Sequence, residues 1–338
     1  MSSTFLSNEL GQVFTLKELS DKSVSNPKIR KAELMVRIRG FEETSQALGH
    51  EALFVTLSCP SKYHRSFSKT GHENPNWGGF TPLDAQAYLN NVWQRIRASL
   101  DRSQIRFYGF RVAEPHHDGT PHWHILLFVN VNEAKPLTEI IQHYALLEDP
   151  DERGAKQHRC SFTKIDPKKG SATGYIAKYI SKNIDGADIE HDSYGENAAT
   201  SAERVNAWAS CWGIRQFQQL GGPSVSVWRE ARRLKDFQTK DNKSLNELRE
   251  AADRSDWQKY VQLMGGVFVK RNEQLARPLY EFEMDVSTGE LKQSHYDEEP
   301  LKTIKGILSS GLKFITRHLK WTKLAYRQAP CFNLEFCQ

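Results

Sequence analysis

What this chain has little of narrows its class first. Its five cysteines (Cys59, Cys160, Cys211, Cys331 and Cys337) are odd in number, far apart and never spaced as Cys-x-x-Cys. That excludes a disulfide framework and a thiolate zinc ribbon, and it fits a reducing compartment. No run of about 18 apolar residues occurs, so no membrane-spanning helix is expected. The opening Met1-Ser-Ser-Thr-Phe-Leu-Ser7 lacks the basic region and apolar run of a secretory leader. A cytoplasmic protein without a membrane partner is the expectation. Internal repeats and low-complexity segments are missing as well. An excess of one charge is nearly missing: 46 Lys and Arg against 41 Asp and Glu leave a net +5. Nucleic-acid binding must therefore be argued from where the cations sit. At 338 residues, 38 % of them hydrophobic, the chain can build one large or two modest cores.

What is present is organised around Glu114-Pro-His-His-Asp-Gly-Thr-Pro-His-Trp-His124. His122 and His124 alternate with Trp123, and residues two apart on a strand point to the same face. The preceding run Ile105-Arg-Phe-Tyr-Gly-Phe-Arg-Val-Ala113 also reads as a strand, and Asp118-Gly119 is a hairpin-turn signal. A hairpin centred there puts Glu114 opposite His122 to within about one position. Two imidazoles and a carboxylate then share one sheet face, with room for water or substrate. Such a set without thiolate suits magnesium or manganese when a phosphate adds oxygens, and zinc stays open for an imidazole-rich site. His116 and His117 are expected as solvated turn residues and Asp118 as the turn former.

Upstream, residues to about 50 read as helical, with Asn26-Pro27 as cap and first turn. Leu53 to Cys59 reads as a central strand ended by Pro60, with Leu53, Val55 and Leu57 on one face and Phe54, Thr56 and Ser58 on the other. Tyr63 to Gly79 has no period and reads as a long loop. Its Lys62, His64, Arg65 and Lys69 are candidates for phosphate contact, and Trp77 for stacking on a base. Thr81-Pro82 opens a helix with a core stripe of Leu89, Val92, Trp93, Ile96 and Leu100. Leu137 to Leu147 reads as a helix and Ser161 to Ile165 as a strand.

From Ser171 to Gly186 an amphipathic helix is expected, with Ser171 or Thr173 as cap and Gly186 as stop. At 100° per residue Tyr175, Lys178, Tyr179 and Lys182 share one face, expected to point outward, and Ile176, Ala177, Ile180 and Ile184 the opposite one. A phenol ionises near pH 10, so a tyrosine nucleophile needs cations such as Lys178, Lys182 or a metal beside it. A divalent ion on His122, His124 and Glu114 would polarise a phosphate oxygen. The two elements together read as a phosphoryl-transfer site working through a covalent phosphotyrosine.

Further on, a helix-like stretch holds Trp208 and Trp212, and Ser244 with Glu247 forms a capping box for a helix to about Met264. Pro300 to Arg327 is amphipathic and rich in cations (Lys302, Lys305, Lys313, Arg317, Lys320, Lys323), read as a phosphate-contacting surface.

Phe54-Val-Thr-Leu-Ser58, the Glu114–His124 run and Tyr175-Ile-Ala-Lys-Tyr-Ile-Ser-Lys182 resemble the three motifs of HUH-type rolling-circle replication initiators. The likeness is strongest to the replication gene A protein (GPA) family of temperate tailed phages. It spans about Asn26 to Leu234 and includes Gln219-Leu-Gly-Gly-Pro-Ser-Val-Ser-Val-Trp-Arg-Glu230. The resemblance implies that His122 and His124 are the metal ligands, Glu114 the acidic third ligand, and Tyr175 and Tyr179 the paired nucleophiles. It also implies nicking of one strand at a replication origin, attachment to the 5′ end, and a 3′ hydroxyl left for a host polymerase. The expected partners are single-stranded or supercoiled origin DNA with host helicase and polymerase, in a bacterial cytoplasm.

The expected fold class is α+β: an HUH-endonuclease-like central antiparallel sheet flanked by helices, with mainly helical N- and C-terminal extensions. The expected domains are 1–50 (helical), 51–235 (endonuclease) and 236–338 (helical, basic and truncated relative to longer family members). The tail Ala329-Pro-Cys-Phe-Asn-Leu-Glu-Phe-Cys-Gln338 resembles nothing in that pattern. Two other readings compete: an HUH transposase or relaxase, separable by where the cut maps, and a DNA-binding replication protein with a decayed nuclease, separable by a nicking assay.

Overall fold

The computed structural model describes residues 3–186, 198–240, 242–285, 288–293 and 299–324. Two compact units emerge, one from Leu34–Pro223 with Ser255–Lys270, the other from segments of Met1–Glu33, Ser224–Arg254 and Arg271–Gln338. Among the described residues no helix is long and apolar enough to cross a membrane.

The first unit is built on a five-stranded antiparallel sheet: β1 (His50–Leu57), β2 (Phe107–Pro115), β3 (Pro121–Asn130), β4 (Cys160–Lys164) and β5 (Phe217–Leu220), in the order β4-β1-β3-β2-β5. β3 lies in the middle, and its ten residues are buried apart from half-buried His122 and the exposed end Asn130. Alternation gives its two faces different tasks. Trp123, Ile125, Leu127 and Val129 join Leu53, Val55 and Leu57 in the main core. That core is closed by α2 (Pro82–Arg102), through the expected stripe Leu89, Val92, Trp93, Ile96 and Leu100, and by α3 (Ala134–Ala145), through Leu137 and Ile141. Thr81 and Asp84 form a capping box that starts α2 where its Pro82 costs no hydrogen bond.

The other face is aromatic at one end and polar at the other. Phe41, from α1 (Pro27–Leu48), meets the rings of Tyr108 and Phe110 at 5.2 and 5.5 Å. Toward the opposite end of β3 the face carries Phe54, Thr56, His124, Glu114 and His122. Gly109 in β2 allows the strands to close: a Cβ there would come 1.9 Å from the carbonyl oxygen of Leu126. The β2–β3 hairpin pairs Glu114 with His122 and Pro115 with Pro121. His116 N–H donates to Thr120 O at 2.8 Å, and Gly119 takes the left-handed conformation (φ 84°) that a three-residue hairpin loop requires. α4 (Ala172–Ile184) and α5 (Ala198–Cys211) pack beside each other, and Trp208 Nε1 of α5 donates to Gly119 O at 2.9 Å, holding the turn.

Three expectations are corrected. The N-terminal segment is not helical throughout: Phe5–Asn8 and Val13–Thr15 pair as strands before the helix Leu16–Asp21. Their turn is held by Asn8 Oδ1, which accepts from Leu10 N and Gln12 N, so a local side-chain bond overrides helix propensity. The helix drawn from Ser244 to Met264 is two helices, Lys243–Asp253 and Trp257–Leu263. Asn242 caps the first and Asp256 the second, with Ser255 left-handed between them (φ 59°).

The C-terminal section is β rather than helical, with Ala276–Phe282, Lys302–Ser309 and Leu312–Ile315 forming one sheet and Trp321–Lys323 joining the N-terminal strands. Ser310 and Gly311 (φ 49° and 78°) make the two-residue turn that matches strand twist. Several of its cations are engaged there: Lys305 with Glu281 at 3.0 Å, and Arg317 with buried Glu230 at 2.7 Å. Residues 325–327 of that section, the tail Ala329–Gln338 and its two cysteines lie outside the described residues, and Cys59, Cys160 and Cys211 are free thiols.

Candidate metal centre and tyrosine helix

Glu114, His122 and His124 each offer a ligand atom, and these atoms lie within 4.8 Å of one another. Glu114 Oε2 is the focus: His124 Nε2 stands 3.4 Å away, His122 Nε2 3.8 Å and Lys182 Nζ 3.8 Å. The Thr56 hydroxyl meets His124 Nδ1 at 3.2 Å across the β1–β3 pairing, which leaves Nε2 facing the carboxylate. Burial favours a neutral Glu114, but hydrogen bonding and charge from His124, with Lys182 and Asn183, outweigh it and hold the carboxyl below its ordinary range. His122 is pushed the other way, well below an ordinary imidazole, by burial first and then by His116 and His124. A neutral imidazole beside an ionised carboxylate is the protonation state that ligates a divalent ion. The donors therefore fit such an ion.

The helix α4 is set over this face by bonds at both ends. Ser171 Oγ accepts from Gly174 N at 2.9 Å. Glu42 of α1 accepts from the first two helical N–H groups, Ala172 N at 2.7 Å and Thr173 N at 3.0 Å, where a carboxylate also suits the helix dipole. Gly186, left-handed at φ 64°, closes the other end with its N–H on Ser181 O at 2.8 Å. Ile176, Ile180 and Ile184 are buried as the periodicity requires.

The tyrosine face turns toward the sheet rather than outward, and Phe54 is its platform. Tyr179 stacks on Phe54 at 5.1 Å and lies 4.1 Å from the His124 ring, while Tyr175 meets Phe54 edge-on at 4.6 Å. Lys178 Nζ sits 4.8 Å from the Tyr179 ring centre and 5.0 Å from that of Tyr175. The structure thus gathers Glu114, His122, His124, Tyr179 and Lys182, with Lys178 bridging the phenols and Tyr175 one ring further out. Burial, then Tyr175 and Glu114, push the Tyr179 phenol up to about 12.

Four residues of this arrangement carry no site role in the sequence pattern. Asn183, fully buried, donates through Nδ2 to Glu114 Oε1 and to the Tyr179 carbonyl, tying the helix to the carboxylate. It follows Tyr175 and Tyr179 at steps of four, so the periodicity that found them points to it too. Thr56 was legible only as a strand-face residue, and Glu42 reaches α4 across 130 positions with no local signal. His116 is the fourth, and the expectation of a solvated residue is corrected: its ring stacks on His122 at 4.0 Å, and burial, then His64, push it down to about 4. His117 is exposed as expected, beside the Ser66 hydroxyl at 3.2 Å. Asp118 is the turn former and more, accepting from Thr120 N, Arg65 N and, at 3.2 Å, His64 Nδ1. Among the loop cations read as phosphate contacts, Lys62 pairs with Glu148 and Asp149, and Arg65 covers the Trp77 ring at 5.5 Å.

Fold and site together define an α+β chain with antiparallel sheets, in which a two-histidine, one-carboxylate cluster faces a helix bearing two tyrosines. Residues 1–187 match the family described as Bacteriophage replication gene A protein (GPA), and the chain belongs to that family. It is 44 % identical over 328 residues to the replication gene A protein of Escherichia phage 186, covering 94 % of this chain and 46 % of that protein. With the replication protein of Haemophilus phage HP1 the identity is 45 % over 306 residues, 89 % of this chain and 38 % of the other. A probable replication endonuclease from a prophage-like region of Salmonella paratyphi A is 34 % identical over 337 residues, 94 % and 41 % of the two chains. The chain spans less than half the length of these curated relatives. No solved structure matches it.

Proposed function

We propose that the chain is a DNA-nicking endonuclease of the HUH class that opens a phage replication origin through a covalent phosphotyrosine. The observation that carries the reading is the Tyr179 ring 4.1 Å from His124, whose Nε2 converges with that of His122 on Glu114 Oε2. The relatives named as replication proteins and a replication endonuclease support it.

Glu114, His122 and His124 would hold a divalent ion, magnesium or manganese, which when bound supplies Lewis-acid polarisation of a non-bridging phosphate oxygen. The chain's own groups do the rest. A tyrosine oxygen attacks phosphorus, the new O–P bond forms as the P–O3′ bond breaks, and the 3′ oxygen leaves as a hydroxyl once it takes up a proton. The phenolic proton, which burial holds on Tyr179 at neutral pH, passes through solvent to the departing 3′ oxygen, so one proton leaves and one arrives. Lys178 beside both rings and Lys182 beside the carboxylate offset the charge that develops. One phosphodiester replaces another, so its energy is kept and the strand can be resealed without a nucleotide.

Tyr175 shares the Phe54 platform, and a second nucleophile allows one tyrosine to hold the 5′ end while the other attacks the regenerated origin. The free 3′ hydroxyl would prime a host polymerase in the bacterial cytoplasm, with a host helicase opening the duplex. The nuclease is assigned to residues 51–235, flanked by 1–50 and 236–338. Incubation with single-stranded and supercoiled phage-origin DNA, with and without manganese, tests the reading: a metal-dependent nick and a protein–DNA adduct are expected, and intact DNA under all conditions would overturn it.

A further inference from the structure

A cleft beside the site has no role so far. It has a volume of about 450 Å³, and its lining includes His64, Phe67, His116 and His117 together with Arg153 and His158. A larger cleft of about 650 Å³, lined by Arg97, Arg106 and Gln218, touches none of the site residues. The smaller one reaches the site through a single ring. Tyr179 lies on His124 at 4.1 Å, His124 meets His122 at 4.6 Å, and His122 is stacked by His116 at 4.0 Å. The order is tyrosine, metal-ligand candidates, His116, cleft.

Phosphoryl transfer places the attacking and leaving oxygens roughly in line across phosphorus. With attack from the Tyr179 side, the 3′ oxygen departs toward His122 and His116, and the nucleotide that carries it needs a seat there. The cleft has the dimensions and chemistry of one. Its volume lies within the roughly 300–1,000 Å³ of small-ligand sites. Phe67, 45 % exposed, offers an aromatic face for a base, and Arg153 is an exposed guanidinium suited to a phosphate. The one carboxylate in the wall, Glu152, is spent on Arg159 at 2.7 Å and Ser61 N at 2.9 Å, so it does not oppose an anion.

The wall that holds Phe67 is also fixed in advance. Phe67 N–H donates to His72 O at 2.9 Å and its carbonyl accepts from Gly71 N at 2.8 Å. Asn74 Nδ2 bonds Ser61 O and His64 O, and Asp118 takes Arg65 N and His64 Nδ1, so the loop is tied to the same turn that presents His122. A seat ordered before binding loses less entropy when it is filled.

We infer that this cleft binds the nucleotide bearing the 3′ hydroxyl released at the nick, its base against Phe67 and its phosphate on Arg153. The inference rests on the nicking reading, and it is tested without cleavage. Fluorescence anisotropy compares a 5′-labelled thymidylate decamer with the same decamer made abasic at its 3′-terminal residue or at its 5′-terminal residue. The unmodified protein loses at least about fivefold in affinity for the 3′-abasic strand, the low end of what one base–aromatic stack contributes, and little for the 5′-abasic one. Phe67→Ala, an exposed loop substitution, binds the intact and 3′-abasic strands equally weakly, and Arg153→Ala weakens both while keeping their ratio. Equal losses at the two ends, or a 3′ penalty that survives in Phe67→Ala, overturns the assignment. Adducts on origin DNA without end discrimination sink the cleft alone, whereas end discrimination without adducts keeps the cleft as a strand-end site and sinks the nuclease.

Discussion

The two faces of strand β3 run through the same ten residues and obey different rules. On one, Trp123, Ile125, Leu127 and Val129 are fully buried; the three aliphatic side chains are held by packing that volume-matched apolar residues would satisfy, and Trp123 adds a bond from Nε1 to Gln86 Oε1 at 3.0 Å. On the other, His122 and His124 are held by specific partners, a carboxylate, a hydroxyl and the neighbouring rings of His116 and Tyr179. The comparison teaches that one strand can supply rigidity through its odd positions and chemistry through its even ones, so damage to the two faces should be separable.

The largest effects test that separation. Leu127→Ala should cost about 2–5 kcal/mol of stability, seen as a lower midpoint in urea unfolding, with activity per folded molecule retained. His122→Ala or His124→Ala should do the reverse, dropping metal-dependent cleavage to background with an unfolding midpoint close to that of the parent and single-stranded DNA binding intact. Equal loss of stability from both faces would erase the distinction.

Glu114→Gln comes next. It keeps the size of the side chain and removes the charge, so metal titrations of cleavage should shift upward by more than the roughly 10–100-fold that outer partners contribute. An unchanged titration would point to a different third ligand. Asn183→Ala should fall within that 10–100-fold range, because it frees the carboxylate and loosens the tie to α4 without removing a ligand. If its metal affinity, read by calorimetry, stays at the parent value, Asn183 is a packing residue only.

These residues also show what the sequence could carry. Alternation and a turn signal located Glu114, His122 and His124, because a hairpin is a local object whose register follows from the turn. Helical periodicity located Tyr175, Lys178, Tyr179 and Lys182 for the same reason. Glu42 and Thr56 act across long separations, so nothing nearby betrays them. The lysine-rich C-terminal section is β although its cations alternate with apolar residues in a pattern both periods tolerate, and the Ser310-Gly311 turn is what decides between them. A place in a turn suggests solvent for His116, whereas stacking on His122 leaves it half-buried.

The smallest expected effect concerns acid. Burial alone would raise Asp118, but His64 and Thr120 prevail and hold its carboxyl below the ordinary range. A depressed carboxylate contributes stability that is present above its unfolded value of about 3.9 and lost as pH falls below it. Asp118→Asn should therefore flatten the fall of melting temperature with pH in that acid range, while leaving the neutral plateau slightly lowered. An acid limb identical to the parent's would remove Asp118 from the group that holds the turn.

The central claim is that a tyrosine of α4 becomes bonded to the 5′ phosphate at a site organised by Glu114, His122 and His124. The most direct measurement is mass spectrometric mapping of the nucleotide-bearing peptide after reaction with origin DNA, in the parent, Tyr175→Phe, Tyr179→Phe and the double variant. The adduct is expected in the peptide containing Tyr175 and Tyr179, with the larger loss in Tyr179→Phe because Tyr179 stands nearer His124, and none in the double variant. An adduct on another residue, or one that persists when both phenols are gone, would contradict the account and leave α4 as a packing element.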